Sequence, residues 1–275
     1  MTYATLLVNL ILGRSNARLL EIAGSLADRF GASVIGLGAC RPIHVICRDY
    51  SVPAVLFEED RKQIARQVQA AEAEFRAAMA KTRRPVEWRG RTSTLPLAER
   101  LAHEARAADL LVVGIGKMET APDTTREPDI CDLVMQVGRP VLLVPVAAPA
   151  SRFERVVVAW KDTREAQRAI VDSLPFLSKA SKVTVVEIVA EESRAEARSR
   201  LTEIVAWLAR HGVVAEVKAV ASTMANAPQL DAIADELGAD LIVAGAYGYS
   251  RQGNWVLGGI TSELLAGDRC ALVAH

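Results

Sequence analysis

Two stretches of this chain are nearly one stretch written twice. Ala107-Ala108-Asp109-Leu110-Leu111-Val112-Val113-Gly114 is matched almost position for position by Gly238-Ala239-Asp240-Leu241-Ile242-Val243-Ala244-Gly245. Each is a short apolar run that stops at a glycine, as a strand buried on both faces of a parallel sheet does. The surroundings repeat as well. Residues 3–8 (YATLLV) correspond to 153–158 (FERVVV), each the first strand of a unit, and 139–144 (RPVLLV) correspond to 269–274 (RCALVA). A repeat this long means two domains of one fold in tandem. The small, proline-bearing residues 145–151 (PVAAPAS) are the linker, which places the domains at 1–146 and 152–275.

Between the repeated strands the apolar period switches between two and 3.6. In the first half, 16–30 carries Leu19, Leu20, Ile22, Ala23, Leu26 and Ala27 at helical spacing, and 33–37 is a strand. Residues 57–82, alanine-rich with Ile64, Val68, Ala71 and Phe75 on one face, form a long helix. A third strand at 86–88 and a helix over 97–107 lead into the 110–113 strand, while 42–50 carries no assignment. In the second half the spacing predicts helices over 164–178, 193–211 and 229–237, and strands over 182–189 and 215–220. Strands alternating with helices of this length give an open parallel α/β sheet in each half, with right-handed crossovers.

The chemistry is concentrated after the last of these strands. Gly245 and Gly248 open a loop, Gly258 and Gly259 close it, and Ile260-Thr261-Ser262-Glu263-Leu264-Leu265 reads as the start of a helix. A glycine loop between a strand's carboxyl end and a helix N-terminus can turn several N–H groups toward one point, where a phosphate can sit. The spacing Gly-x2-Gly-x9-Gly-Gly is neither a P-loop nor the dinucleotide fingerprint. The plainer alternative is that these glycines only make turns.

This spacing resembles the nucleotide loop of the universal stress protein family, Gly-x2-Gly-x9-Gly-Ser/Thr, and Ala271-Leu272-Val273-Ala274-His275 resembles that family's closing strand. Gly259 stands where nucleotide-binding members carry Ser or Thr. The resemblance implies two Rossmann-like, five-stranded sheets of the adenine nucleotide alpha hydrolase-like type, strand order 3-2-1-4-5. It also implies ATP or AMP as ligand, with Mg accompanying the phosphates and no structural metal. Terminal strands pair between subunits in this family, so the two halves of a tandem chain can form an intramolecular pseudo-dimer. A homodimer of whole chains is left open.

In such a sheet the ligand lies outside the carboxyl ends of the strands, where strand order reverses. For the second half the walls are Ala159, Trp160, Lys161 and Asp162, then Ile188 and Val189, then Gly245, Ala246 and the rest of the glycine loop. The resemblance implies adenine at the backbone of Ile188 and Val189, and ribose at an acid after the first strand. That acid stands two positions before a Ser or Thr, which is Lys161 here; Asp162 is one residue along. Asp162-Thr163 also reads as a helix cap, and the two readings are compatible. Loss of a hydroxyl at Gly259 removes a hydrogen bond to a charged group, roughly 1.5–3 kcal/mol, or about tenfold to a hundredfold in affinity. Thr261 or Ser250 could substitute, and Arg251 could meet a terminal phosphate.

The first half lacks these features. After Gly114-Ile115-Gly116, Pro122 and Pro128 delete N–H donors, and Glu119, Asp123, Glu127 and Asp129 would repel phosphate. No acid follows its first strand, Asn9-Leu10-Ile11-Leu12. It reads as a degenerate copy with a structural role.

Charge and cysteine usage narrow the class. With 33 acidic and 33 basic residues the formal net charge is zero, so the global positive field of a nucleic-acid binder is missing. Four cysteines show no metal-type spacing; Cys40 and Cys47 could pair, but such sparse usage fits a reducing compartment and a cytoplasmic protein. The apolar first twelve residues lack a basic region and a cleavage site, and no run is long enough for a bilayer. No nucleophile elbow, HExxH or Walker lysine is present, and His44, His103, His211 and His275 share no local motif with a nucleophile or a carboxylate. Glu187 is the one carboxylate in an otherwise apolar strand, facing either the crevice or water. Three readings stand: a nucleotide-binding stress or regulatory protein, a ligand-free interaction module of the same fold, and a slow ATPase or adenylyl-transfer enzyme.

Overall fold

A computed structural model of the chain describes residues 2–43, 54–116, 123–148, 151–246 and 268–275, and the backbone of 248–249 and 255–256. By contact the chain divides into two units, Tyr3–Arg139 and Pro140–His275.

In the first unit, β1 (Thr5–Leu10), β2 (Ser33–Cys40) and β4 (Leu110–Ile115) are apolar runs with almost no exposed residue. They line up parallel with β3 (Val86–Thr92) in the order β3-β2-β1-β4. Strands buried on both faces need helices above and below, which the 3.6-period segments supply. Helix α1 (Ala17–Phe30) turns Leu19, Leu20, Ile22, Ala23, Leu26, Ala27 and Phe30 inward, and Gly31, in the left-handed region, ends it. Helix α2 (Ala54–Met79) begins earlier and stops sooner than its alanine content predicts. It stops because the Thr82 N–H closes a tight turn onto the Met79 carbonyl, ahead of Pro85. Its Phe75 lies flat over Gly36, where an added Cβ would fall 2.7 Å from the ring. Strand β3 is longer than expected and largely exposed, as an edge; Arg89 and Arg91 both pair with Glu104, charges that discourage edge-to-edge pairing. The predicted 97–107 helix is α3 (Leu97–Glu104) followed by a 3-10 turn.

Helix α4 (Ile130–Val137) was not expected. Asp129 caps it by accepting from the Asp132 N–H at 3.0 Å, Leu133, Val134 and Val137 are buried, and Gly138 ends it with φ 59°. Cap, spacing and stop are the ordinary signals of a helix, set directly after acids and prolines that signal a loop.

The second unit repeats the order with one strand more: β8 (Ala215–Ala221), β7 (Lys182–Val189), β6 (Arg155–Ala159), β9 (Leu241–Gly245), β12 (Ala271–Ala274) and β5 (Val141–Pro145). The first five are parallel, the predicted 3-2-1-4-5 arrangement, and β5 pairs antiparallel with β12. Two two-residue strands, β10 (Gly248–Tyr249) and β11 (Trp255–Val256), form a small antiparallel ladder inside what the sequence suggests is plain loop. Helices α5 (Arg164–Leu177), α6 (Arg194–Arg210) and α7 (Asn226–Glu236) match expectation within about three residues at each end. Helix α7 starts before Pro228 because proline is tolerated in a first turn. Strand β6 starts at Arg155, two residues late, because Phe153 has φ 53° and cannot continue a strand. A left-handed Phe costs on the order of 1–3 kcal/mol; burying the ring, edge-on to Phe176 at 5.3 Å, returns about as much.

Candidate functional site

The crossover after β6 runs to β7 on one side, and the one after β8 returns to β9 on the other, so the carboxyl end of β6 is where the order of the second sheet reverses. Ala159 pairs with Val186 and with Ala244. One residue on, the Trp160 N–H donates to the Val186 carbonyl at 2.8 Å. Alternation along a parallel ladder then turns the N–H and C=O of Ile188 to that same side, past the end of β6. Val189 points the other way, and its carbonyl accepts from the Ser222 N–H at 2.7 Å beyond β8. Of the two residues expected to meet a base, Ile188 is therefore the one whose main chain faces the crevice.

Gly245 has a physical reason of its own. An added Cβ would lie 2.5 Å from the Ala166 nitrogen and from the Glu165 carbonyl carbon, so the end of β9 and the start of α5 touch backbone to backbone. Ala246 is also fastened: its N–H donates to the Ala274 carbonyl at 2.8 Å, and its own carbonyl lies 3.1 Å from His275 Nδ1. Gly248 belongs to the β10–β11 ladder. Ser250, Arg251, Gly258, Gly259, Ile260 and Thr261 fall outside the described residues.

Around the β6 exit, Lys161 and Asp162 are exposed. Thr163 caps α5, its Oγ1 accepting from the Ala166 N–H at 3.3 Å, which fulfils the cap reading for Thr163. Glu165 is buried in the first turn of α5. Burial pushes its carboxyl up, but the Arg164 guanidinium, its own amide and the Thr163 hydroxyl outweigh this and hold its pKa below the ordinary value. An acid therefore already complements the positive end of α5.

Glu187 faces neither bulk water nor an open crevice. It is 5% exposed, and its Oε1 accepts from Arg200 Nη2 at 3.0 Å, a residue of α6 that the sequence reading missed. Arg200 also donates to Glu196 at 2.9 Å; the Glu187 hydrogen bond outweighs burial and, with the fields of Glu187, Glu196 and Asp162, raises its pKa further. Three buried atoms in this region, Trp160 Nε1, Glu187 Oε2 and Arg200 Nε, have no hydrogen-bond partner among the described residues. A separate open cleft of about 500 Å3 runs along α5, lined by Arg164, Gln167, Arg168, Val171 and His275. Its arginines are engaged, Arg164 with Glu165 and Arg168 with Asp172, both at 2.7 Å.

At the corresponding exits of the first unit, side chains engage the main chain beside an open cleft of about 380 Å3 whose lining includes Gly13, Arg14, Gln67 and Glu74. Asn16 Oδ1 accepts from the Ile11 N–H at 2.9 Å, and Glu74 accepts from the Asn16 N–H at 2.8 Å, binding the β1 exit to α2. Each described acid after β4 has a local task. Asp123 accepts from Thr125, Glu127 pairs with Arg14 at 2.7 Å, and Asp129 caps α4. Glu119 and Pro122 fall outside the described residues. Between these acids Arg126, 8% exposed, reaches Asp60, Gln67 and the carbonyl of Arg41. No group of three or more His, Cys, Asp or Glu among the described residues could hold a metal. No helix among them is long and apolar enough to cross a membrane.

Strand order and crevice define a doubly wound α/β protein of the kind that takes ligands at strand exits. Comparison of the sequence with family models and with curated proteins finds no match. Comparison of structures does. A universal stress protein from Archaeoglobus fulgidus DSM 4304 superposes with TM-score 0.71 over 98% of this chain and 97% of its own, at 14% identity. A putative universal stress protein from Pseudomonas aeruginosa UCBPP-PA14 gives 0.63 over 99% and 93%, also at 14% identity. A functionally unknown protein from Pseudomonas aeruginosa PAO1 gives 0.60 over 99% and 92%, again at 14% identity. The fold of this chain is that of the universal stress proteins, along its whole length.

Proposed function

We propose that the chain is a tandem universal stress protein that binds an adenine nucleotide, ATP or AMP, in its second copy and acts by occupancy rather than by catalysis. The observation that carries this reading is the reversal point at β6. The main chain of Ile188, the exposed Asp162 and the fastened start of the glycine loop at Gly245-Ala246 all belong to strands that are neighbours there. Base and ribose would meet the β6 and β7 exits, and the phosphates would meet the glycine loop from Gly248 to Thr261. Any Mg would arrive with the phosphates. Antiparallel pairing of β5 with β12 supports pairing of the two closing strands as an intramolecular pseudo-dimer. Sparse cysteine usage, four in 275 residues, supports a cytoplasmic location, and Cys47 falls outside the described residues.

The test is to denature the purified full-length protein and analyse released nucleotide, then to follow its melting temperature against AMP and ATP. Bound AMP or ATP, or a rise equivalent to about 2.7 kcal/mol at a hundredfold excess over Kd, is expected. A preparation that is empty and does not respond to either nucleotide would rule the reading out in favour of a ligand-free module. Gly259→Ser is expected to tighten binding by about tenfold to a hundredfold, since it restores a hydroxyl to a charged acceptor.

A further inference from the structure

The first copy holds a side chain at its strand exit, one alternation beyond the position where the second copy is proposed to meet a base. By the repeat, Val8 corresponds to Val158. The registers Asn9 with Leu37 and Ala159 with Val186 then make Leu37 the counterpart of Val186, Ala39 that of Ile188, and Arg41, the next residue on the same side, that of Ala190. Counting in twos along the ladder, the main chain of Arg41 faces the β1 side, as those of Ile188 and Ala190 face the β6 side. Both of its polar groups are taken. The Arg41 N–H donates to the Thr125 carbonyl at 2.8 Å, and Arg126 Nη1 donates to the Arg41 carbonyl at 3.2 Å. One acceptor and one donor side by side, set against a strand-exit amide and carbonyl, is the pattern that the amino edge of an aminopurine presents.

The guanidinium making this contact is held on its other sides. Nε donates to Gln67 Oε1 at 2.8 Å, Nη1 also donates to Thr125 Oγ1 at 3.1 Å and to the Thr125 carbonyl at 3.3 Å, and Nη2 meets Asp60 Oδ1 at 3.3 Å. Asp60 is itself 8% exposed and accepts from the Ile43 N–H at 2.9 Å. Planar shape, directed donors and a buried counter-charge are what Arg supplies and Lys does not.

We propose that Thr125 and Arg126 are a built-in occupant of the first copy's crevice, standing in for a base and keeping that copy closed to nucleotide. The comparison with a base rests on the nucleotide reading of the second copy; the occupancy by Arg126 does not, and the two are tested separately.

The experiment compares the full-length protein with Arg126→Ala and Arg126→Lys by thermal melting, with millimolar methylguanidinium or methylammonium added. Arg126→Ala is expected to lower the melting temperature by roughly 5–10 °C. Methylguanidinium should recover part of that loss and methylammonium should not, and Arg126→Lys should behave as a loss rather than a replacement. If Arg126→Ala melts with the parent, or the two cations act alike, the occupant proposal is overturned. Should alanine not give folded protein, Arg126→Gln keeps most of the volume, and the same selective recovery is expected; its absence there is equally decisive. Titration with AMP then separates the readings. A parent chain that binds no AMP defeats the nucleotide reading and leaves the melting result standing. Where the parent binds one equivalent, Arg126→Ala should bind a second, weaker one, and a count that stays at one overturns the claim that this side chain excludes nucleotide.

Discussion

At Gly245 a methyl group would have to occupy space 2.5 Å from main-chain atoms of α5. Backbone cannot swing aside as a side-chain tip can, so Gly245→Ala should cost at least the ~1–3 kcal/mol typical of overpacking, read as a drop in the denaturation midpoint. It should also weaken AMP binding by separating α5 from the crevice floor. The Glu187–Arg200 pair makes an asymmetric prediction. Arg200 has a side chain 30% exposed and can turn to water, whereas the Glu187 side chain is 6% exposed. Arg200→Ala strands a buried carboxylate and is expected to cost about 3–5 kcal/mol. Glu187→Ala should cost less, about 1–3 kcal/mol; urea titrations of both variants that gave the reverse order would contradict this account. Glu165 sets an acid limit. Its folded pKa lies below the ordinary 4.5, so it stabilises the protein above that value and the contribution fades as pH falls through the folded pKa. Glu165→Gln should therefore flatten the fall of melting temperature in that acid window. At this scale the sequence marks out Glu187 as an odd residue in an apolar strand, but not its partner, because the phase of α6 against β7 is set by packing. Arg126 was equally hidden, since nothing local distinguishes it from the solvated arginines around it.

Among elements, the repeated aspartate explains why the repeat is so well preserved at that position. Asp109 accepts from the N–H groups of Ala4 and Thr5 at 2.8 and 3.0 Å. Asp240 accepts from those of Glu154 and Arg155, both at 3.0 Å. In each copy the carboxylate at the start of the fourth strand holds the start of the first, a staple between neighbouring parallel strands. Asp109→Ala and Asp240→Ala should each cost about 1–3 kcal/mol, with opposed effects on local amide exchange: β1 loosened in one variant, β6 in the other. Strands and long helices were legible because their periods are unambiguous. Helix α4 was not, being eight residues long and preceded by prolines and acids that signal a loop. The start of β6 was misplaced for a different reason. A phenylalanine with positive φ breaks a strand that its residue type favours, and no local rule anticipates a conformation sustained by its ring's burial.

For the molecule as a whole, alternation of strands and helices announced parallel α/β sheets, and the family resemblance supplied their order. Alternation alone cannot, because any order with right-handed crossovers has the same linear pattern. The partner of β5 was also beyond local reading: Val141–Pro145 lies next to a proline-bearing linker, yet by contact it groups with the residues that follow it. Its ladder to β12 couples Val141 with Val273 and Leu143 with Ala271. Pairings this distant in sequence are slow to find. During synthesis Val141–Pro145 leaves the ribosome with its antiparallel neighbour not yet translated, and four strands of the second sheet are made in the interval. A sticky apolar ribbon is thus on display for most of the time the second copy is being built. Stalled chains ending before Ala271 should consequently be captured by chaperones, or precipitate, far more than released full-length protein, and a pulse-chase of arrested against completed chains would measure that window of vulnerability.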